Sequence, residues 1–207
     1  FKHQIEKNDK ITVKLGYEVT PENLDEIEAL KPYAVLLASG GKQIVPPLPG
    51  VESAIMANDV LSGKVKLEGK KLVVVGGGMT GLETAEVLGK NNDVTVLEMT
   101  PNLGQGIFNF NVTKSVWALD KLGVTIKTRT RLDAVKVGSA SVYNAAEDKA
   151  EEIPCDAVVL AIGVYTDHSL RDELEARFDK VVELGDVSKV GKIMTATRDG
   201  YDRVKTL

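Results

Sequence analysis

The chain has 207 residues, 43% of them hydrophobic and 27% charged, with a formal net charge of −4. That is room for one large domain or two small ones, in the composition range of globular proteins. The charge excludes a global basic field for nucleic acid, and no polybasic run points to an anionic membrane.

One cysteine, Cys155, cannot make an internal disulfide, a CxxC pair or a zinc cluster. A reducing cytoplasm is the expected setting, and the thiol is expected to be structural. His3 and His168 carry no ligand spacing, so no metal site is expected. The opening Phe1-Lys2-His3-Gln4-Ile5-Glu6-Lys7 lacks the apolar core of a signal peptide. The longest apolar stretch, Ala157 to Tyr165, is far too short to cross a bilayer. The chain starts without Met and is expected to be processed or to be a piece of something longer.

Thr20-Pro21-Glu22 reads as a helix start: a capping hydroxyl, a proline in the first turn and an acid at the positive dipole end. Leu24, Ile27 and Leu30 recur at helical spacing, and Lys31-Pro32 stops the helix. Tyr33 to Ala38 is a continuous apolar run of the kind buried on both faces of a sheet, broken by Ser39-Gly40-Gly41. Residues 44–50 form a Pro-rich connector and the best domain boundary. A short helical patch near Asp59–Leu61 precedes the strand Lys71–Val75. The helix Met79–Lys90 follows, with Leu82, Ala85 and Leu88 on one face, then a turn at Asn91-Asn92-Asp93 and the strand Val94–Leu97. Phe108, Val112, Val116, Leu119 and Leu122 mark an amphipathic helix ended by Gly123, with Trp117 expected in the core or an interface. Val124–Lys127 reads as a strand, Leu132–Val137 and Ser139–Tyr143 as a small meander, and Ala157–Ile162 as a last buried strand. Strands alternating with helices predict an α/β fold: a Rossmann-like parallel sheet flanked by helices, with a small antiparallel β-meander as a crossover.

The chemistry centres on Val73-Val74-Val75-Gly76-Gly77-Gly78-Met79-Thr80-Gly81-Leu82. This satisfies G-x-G-x-x-G in its required setting, with a strand leading in and a helix leading out. Gly76 permits the tight turn, Gly78 lets a pyrophosphate approach the backbone, and Gly81 lets helix pack on strand. The helix N-terminus offers N–H groups and partial positive charge to phosphates. Glu98, 20 residues beyond Gly78 at the tip of the next strand, can accept hydrogen bonds from both ribose hydroxyls. Its carboxylate would repel the 2′-phosphate of NADP. Met99-Thr100-Pro101-Asn102 supplies no cation to reverse that, which favours NAD(H).

The segment Gly76 to Glu83 resembles the NAD-binding subdomain of flavoproteins with two dinucleotide-binding motifs. Leu36-Leu37-Ala38-Ser39-Gly40 followed by Pro47-Leu48-Pro49-Gly50 is similar to the junction before that subdomain, and Val159–Gly163 to the strand end leading out of it. Leu184-Gly185-Asp186, Gly191-Lys192-Ile193 and Arg198-Asp199-Gly200-Tyr201 resemble the final flavin-binding segment. Within the pyridine nucleotide-disulfide oxidoreductase-like superfamily, the texture is closest to the C-terminal region of the NADH:flavin oxidoreductase, 2-enoate reductase and 2,4-dienoyl-CoA reductase family.

The resemblance implies a division into 1–49, a partial FAD-binding domain, 50–165, an NAD-binding domain, and 166–207, the returning segment of the FAD-binding domain. It implies that Gly76, Gly77, Gly78, Met79, Thr80, Gly81, Glu98 and Met99 serve NADH, that Glu83 faces its nicotinamide end, and that Ala161, Ile162 and Gly163 bring backbone close to it. Ala38, Ser39 and Gly40 would touch FAD, while Gly185 and Asp186 would reach its ribityl or pyrophosphate groups. No catalytic residue is assigned. A first G-x-G-x-x-G and an N-terminal barrel with its own flavin are expected in missing parts of the parent. Residues 1–19 would then be the tail of a flavin half, and the chain alone would bind NADH without turnover. The alternatives are a non-catalytic NAD-sensing module and an NADH oxidase or disulfide-reductase type of flavoprotein. Tyr143 and Lys149 are six apart, which removes the Y-x-x-x-K pair of short-chain dehydrogenases.

Overall fold

The computed structural model describes residues 2–106 and 108–207; Phe1, where the first expected segment opens, and Ile107, within the second, lie outside them. In chain order the elements are α1 (Lys2–Glu6), a 3-10 turn at Pro21–Asn23 leading into α2 (Leu24–Glu28), β1 (Val35–Leu37), β2 (Gly41–Gln43), β3 (Ile55–Met56), α3 (Ala57–Leu61), β4 (Lys71–Val75), α4 (Met79–Leu88), β5 (Asp93–Leu97) and α5 (Asn109–Lys121). Then come β6 (Thr125–Lys127), β7 (Thr130–Lys136), β8 (Ser139–Asn144), β9 (Lys149–Pro154), β10 (Ala157–Leu160), β11 (Val164–Thr166), α6 (Arg171–Glu175), β12 (Val181–Glu183), a 3-10 turn at Gly185–Val187 and α7 (Ile193–Lys205). The chain divides into two compact units: Lys42–Tyr165, and Phe1–Gly41 with Thr166–Leu207.

The Lys42–Tyr165 unit is built on a five-stranded parallel sheet of order β3-β10-β4-β5-β6. Val-rich strands suit a sheet covered on both faces, and the pleat sends alternate side chains to opposite layers. Leu72 and Val74 of β4, Val94 and Val96 of β5 and Val159 of β10 meet Ala57, Leu82, Ala85, Leu88 and Leu119 of α3, α4 and α5. Val73, Leu97, Val158 and Leu160 point the other way, onto Leu132, Ala140 and Val142 of the antiparallel sheet β7-β8-β9. The meander thus covers the face that a second helical layer would cover in a doubly wound sheet. Truncating a buried leucine such as Leu82 costs about 2–5 kcal/mol.

Polar ties set the strand ends. The Lys71 N–H donates to Asp156 Oδ2 at 2.8 Å, joining the beginnings of β4 and β10. Asn92 accepts from the Lys70 N–H and donates to the carbonyls of Leu67 and Leu88, closing the turn after α4. Cys155 lies in the meander-side core, where burial first and then the neighbouring Asp156 charge push its thiol pKa up, as a structural cysteine requires.

The smaller unit contains the parallel pair β1-β12 and a core of Leu24, Leu37, Leu174 and Val187. The Thr20-Pro21-Glu22 helix start is present, as a 3-10 turn before α2. In this unit the Tyr33–Ala38 run is not buried on both faces: Leu37 is inside, but Leu36 is 42% and Tyr33 71% exposed. Among the described residues β1 pairs with β12 alone, in a sheet of two strands.

Four details go beyond the sequence reading. Residues 42–49 fall in the larger compact unit, where Leu48 packs on the meander-side core and the Pro49 carbonyl accepts the Val135 N–H. The meander has a third strand, β9, whose charged sequence hides its strand character at an exposed edge. Trp117 is 66% exposed on α5, on the side away from Leu119. The C-terminal stretch forms α7, which the motif reading did not identify as a helix.

Candidate functional site

The glycine loop sits at the C-terminal end of β4, where the parallel sheet opens and α4 begins. Gly76 has φ +112°, a conformation glycine adopts without the Cβ penalty, and a Cβ there would press on the Ala161 carbonyl at 2.5 Å. A Cβ on Gly81 would land within the Gly76 carbonyl oxygen, so the first turn of α4 packs directly on the loop. Gly78 differs: a Cβ there would meet no heavy atom. The space in front of Gly78 opens into a cavity of about 570 Å³. The first-turn N–H groups of a helix lack intrahelical acceptors, and here they begin at this cavity, immediately after Gly78.

Glu98 leaves the tip of β5 and lines the cavity. One of its carboxylate oxygens accepts the Gly77 N–H at 2.8 Å, and the other accepts the Thr100 N–H at 2.8 Å. Both bonds fix the carboxylate against the glycine loop. A carboxylate has about four lone-pair sites, so acceptor capacity remains toward the cavity. The loop after β5 closes behind: Gly104 donates to the Gly77 carbonyl, and the Leu103 side chain fills the space a Cβ on Gly77 would need.

Of the residues expected at the NADH site, Gly76, Gly78, Met79, Thr80, Glu98, Met99, Ala161, Ile162 and Gly163 line one cavity. Gly77 and Gly81 stand behind it as packing and hydrogen-bonding supports. Glu83 is exposed on α4 and is not among the lining residues. Sequence reasoning missed a whole wall. Pro46 and Leu48 come from the Pro-rich connector, Gln105 from the loop after β5, and Thr130, Arg131 and Leu132 from the start of β7. The junction motif includes Leu48 without giving it a role, and no local motif marks the others; Thr130, Arg131 and Leu132 reach the cavity because the Thr130 N–H bonds to the Glu98 carbonyl and aligns the meander with the end of β5.

The smaller unit carries its own cavity of about 440 Å³, lined by Ala38, Gly40, Gly185, Asp186, Gly191 and Gly200 among others. Ser39 is exposed and is not part of the lining. Asp186 is held by the Gly191 N–H at 3.0 Å. Asp199, which sequence reasoning quoted in a motif without a role, accepts the Gly185 N–H at 2.9 Å and pairs with Arg203. The Gly185 bond, then Arg203, hold the Asp199 carboxyl below the usual carboxylate range. Gly40 and Gly200 have open space where a Cβ would point, so backbone lines the cavity closely. Among the described residues there is no cluster of potential metal ligands and no helix long and apolar enough to cross a membrane.

Residues 2–186 match the family described as pyridine nucleotide-disulphide oxidoreductase, and the chain belongs to that family. It is 33% identical to an NADH oxidase of Thermoanaerobacter brockii over 86% of this chain and 28% of that protein. It is 27% identical to a cinnamate reductase of Clostridium sporogenes over 95% of this chain and 29% of that protein. Among solved structures, a 2-naphthoyl-CoA reductase in complex with 2-naphthoyl-CoA superposes with a TM-score of 0.85 at 31% identity, covering 97% of this chain and 30% of that one. The chain therefore spans about three tenths of the length of these relatives. The resemblance to the enoate-reductase group and the Rossmann-like α/β class both hold. Membership carries two cofactors, FAD and a pyridine nucleotide.

Proposed function

We propose that the Lys42–Tyr165 unit binds NADH, and that the parent protein uses it to reduce a flavin and, through it, an enoate- or enoyl-type substrate. The observation that carries the NADH reading is the open space at Gly78, placed between the start of α4 and the fixed carboxylate of Glu98. Bound together, the nucleotide supplies a hydride and FAD accepts it. The chain's own residues bind and orient. Gly78 admits a pyrophosphate to the backbone, the first turn of α4 offers it N–H groups, and Glu98 receives ribose hydroxyls. Ala161, Ile162 and Gly163 line the same cavity, with the Ala161 carbonyl against Gly76. FAD would lie against Ala38, Gly40, Gly185 and Asp186 in the smaller unit, whose glycine-lined cavity suits a close backbone approach. Residues 1–41 and 166–207 are then parts of a FAD-binding domain. The similarity to cinnamate and 2-naphthoyl-CoA reductases supports the substrate class. A buried, unpaired Cys155 suits a reducing cytoplasm.

The preference for NADH over NADPH rests on charge. Glu98 stands where a 2′-phosphate would come, and the cation in the same wall, Arg131, is already matched by Asp133. Titration calorimetry of the chain with both nucleotides tests this, with NADH expected to bind about fivefold tighter or more, since one close charge repulsion is worth on the order of 1 kcal/mol. Glu98→Gln keeps an oxygen for the Gly77 N–H and removes the charge; it should shrink the difference. Equal affinities in the unmodified chain would overturn the preference, and failure to bind either nucleotide would overturn the site.

A further inference from the structure

Arg131 enters the nucleotide cavity from β7, held from two directions. Its Nε donates to Asp133 Oδ1 at 2.7 Å. Its guanidinium carbon lies over the Tyr143 ring, 4.3 Å from the centroid. Arg131 and Tyr143 are direct partners across β7 and β8, so sheet register itself builds the stack. Tyr143 is anchored in turn by its hydroxyl, which donates to Asp148. A long, flexible side chain is thereby ordered before any ligand arrives, which removes part of the entropy cost of using it.

Arg131 is among the residues lining the cavity and Tyr143 is not. A guanidinium is planar and stacks on π systems with either face. One side of it is taken by Tyr143, and Glu98 and Met99 line the same cavity at the tip of β5. That is the adenosine end, because Glu98 is the acid at the tip of the second strand of the βαβ unit. With Asp133 bonded to Arg131, and Glu98 in the same wall, the place is poorly suited to a second phosphate and well suited to a flat base.

We propose that Arg131 is a binding residue that stacks on the adenine of the dinucleotide, forming a Tyr143–Arg131–adenine layer. This rests on the reading of the cavity as a pyridine-dinucleotide site. The test is calorimetric titration of the whole chain and of Arg131→Ala, Arg131→Lys and Tyr143→Leu with ADP-ribose, NADH and NADPH. Stacking on a base supports a loss of about tenfold for ADP-ribose and NADH alike in Arg131→Ala. Arg131→Lys keeps a cation beside Asp133 but has no planar face, and should lose nearly as much. Tyr143→Leu removes the support without touching the cavity, and should lose a smaller factor. Unchanged affinity in Arg131→Ala, or full affinity in Arg131→Lys, overturns the stack. So does a loss for NADPH tenfold greater than for NADH, which would assign Arg131 to the 2′-phosphate. If the unmodified chain binds none of the three, the cavity reading falls and the Arg131 role with it; if it binds them and only the variants disagree, the cavity reading stands and the Arg131 role alone falls.

Discussion

The two units of this chain each set an acid beside a run of glycines, and they hold it by different means. In Lys42–Tyr165, Glu98 is fixed by two backbone N–H groups above a sheet covered on both faces. In the smaller unit, Asp186 has the Gly191 N–H, and Gly185 is tied down by Asp199, whose other bond is to Arg203 on the same helix. The larger unit has two dense apolar layers behind its loop; the smaller has four fully packed residues and a helix, α7, whose Ile193, Met194 and Tyr201 face solvent. A close-packed core transmits a local clash and resists local relaxation. The glycine loop is therefore expected to be rigid by packing, whereas the Gly185 turn is held by a part-buried bond to the Asp199 carboxylate, whose pKa that bond lowers.

Four substitutions probe this contrast, in falling order of effect. Gly81→Ala places a methyl inside the Gly76 carbonyl, with the rigid sheet behind it, and should destabilise the larger unit by about 3 kcal/mol or more. Chemical denaturation measures this, and an unchanged midpoint would mean that the loop can move away from α4. Gly78→Val points into open space, so the melting temperature should hold while NADH affinity drops on the order of 100-fold, the cost of two lost charge-assisted hydrogen bonds. A loss of folding there would show that packing, not ligand access, selects glycine at both positions.

In the smaller unit, Asp199→Asn should cost less than about 1 kcal/mol at neutral pH, because the ties are partly exposed and screened. The lowered carboxyl of Asp199 adds stability above the pKa of the unfolded chain, about 3.9, and loses it as pH falls through the lower folded value. The variant and the parent should therefore converge in strongly acidic solution; a constant difference at every pH would refute an ionic origin. The smallest effect is expected from Glu152→Gln on the outer face of the meander. Lys136, Ser141 and Ser139 hold the Glu152 carboxyl down to about 2. Its contribution is present above the usual carboxylate value, about 4.3, and fades between there and about 2. Being fully exposed, it should move the melting temperature barely above error, and a large shift would show that meander and sheet are more strongly coupled than their packing indicates.

Legibility in the sequence followed the range of the interactions. β4, α4 and β5 were readable almost to the residue, since Val-rich strands, the Leu82–Ala85–Leu88 face and the Asn-Asn-Asp turn are all local signals. β9 was not, because an edge strand with Lys149, Glu151 and Glu152 has no apolar alternation to betray it. Trp117, expected in the core or an interface, lies outside the core, at a helix position adjacent to the apolar stripe.

By itself, the sequence determined the glycine turn, the helix that starts from it and the acid at the tip of the next strand, because each depends on residues within a few positions or on a fixed βαβ spacing. Only the tertiary structure decided which residues wall the cavity. Gly77 became a donor to Glu98, Glu83 faced solvent, and Arg131 arrived on a strand more than 50 positions from the glycine loop, with Tyr143 stacked behind it. The physical reason is that these placements follow from strand register and sheet packing, which bring distant segments together and leave no local mark in the chain.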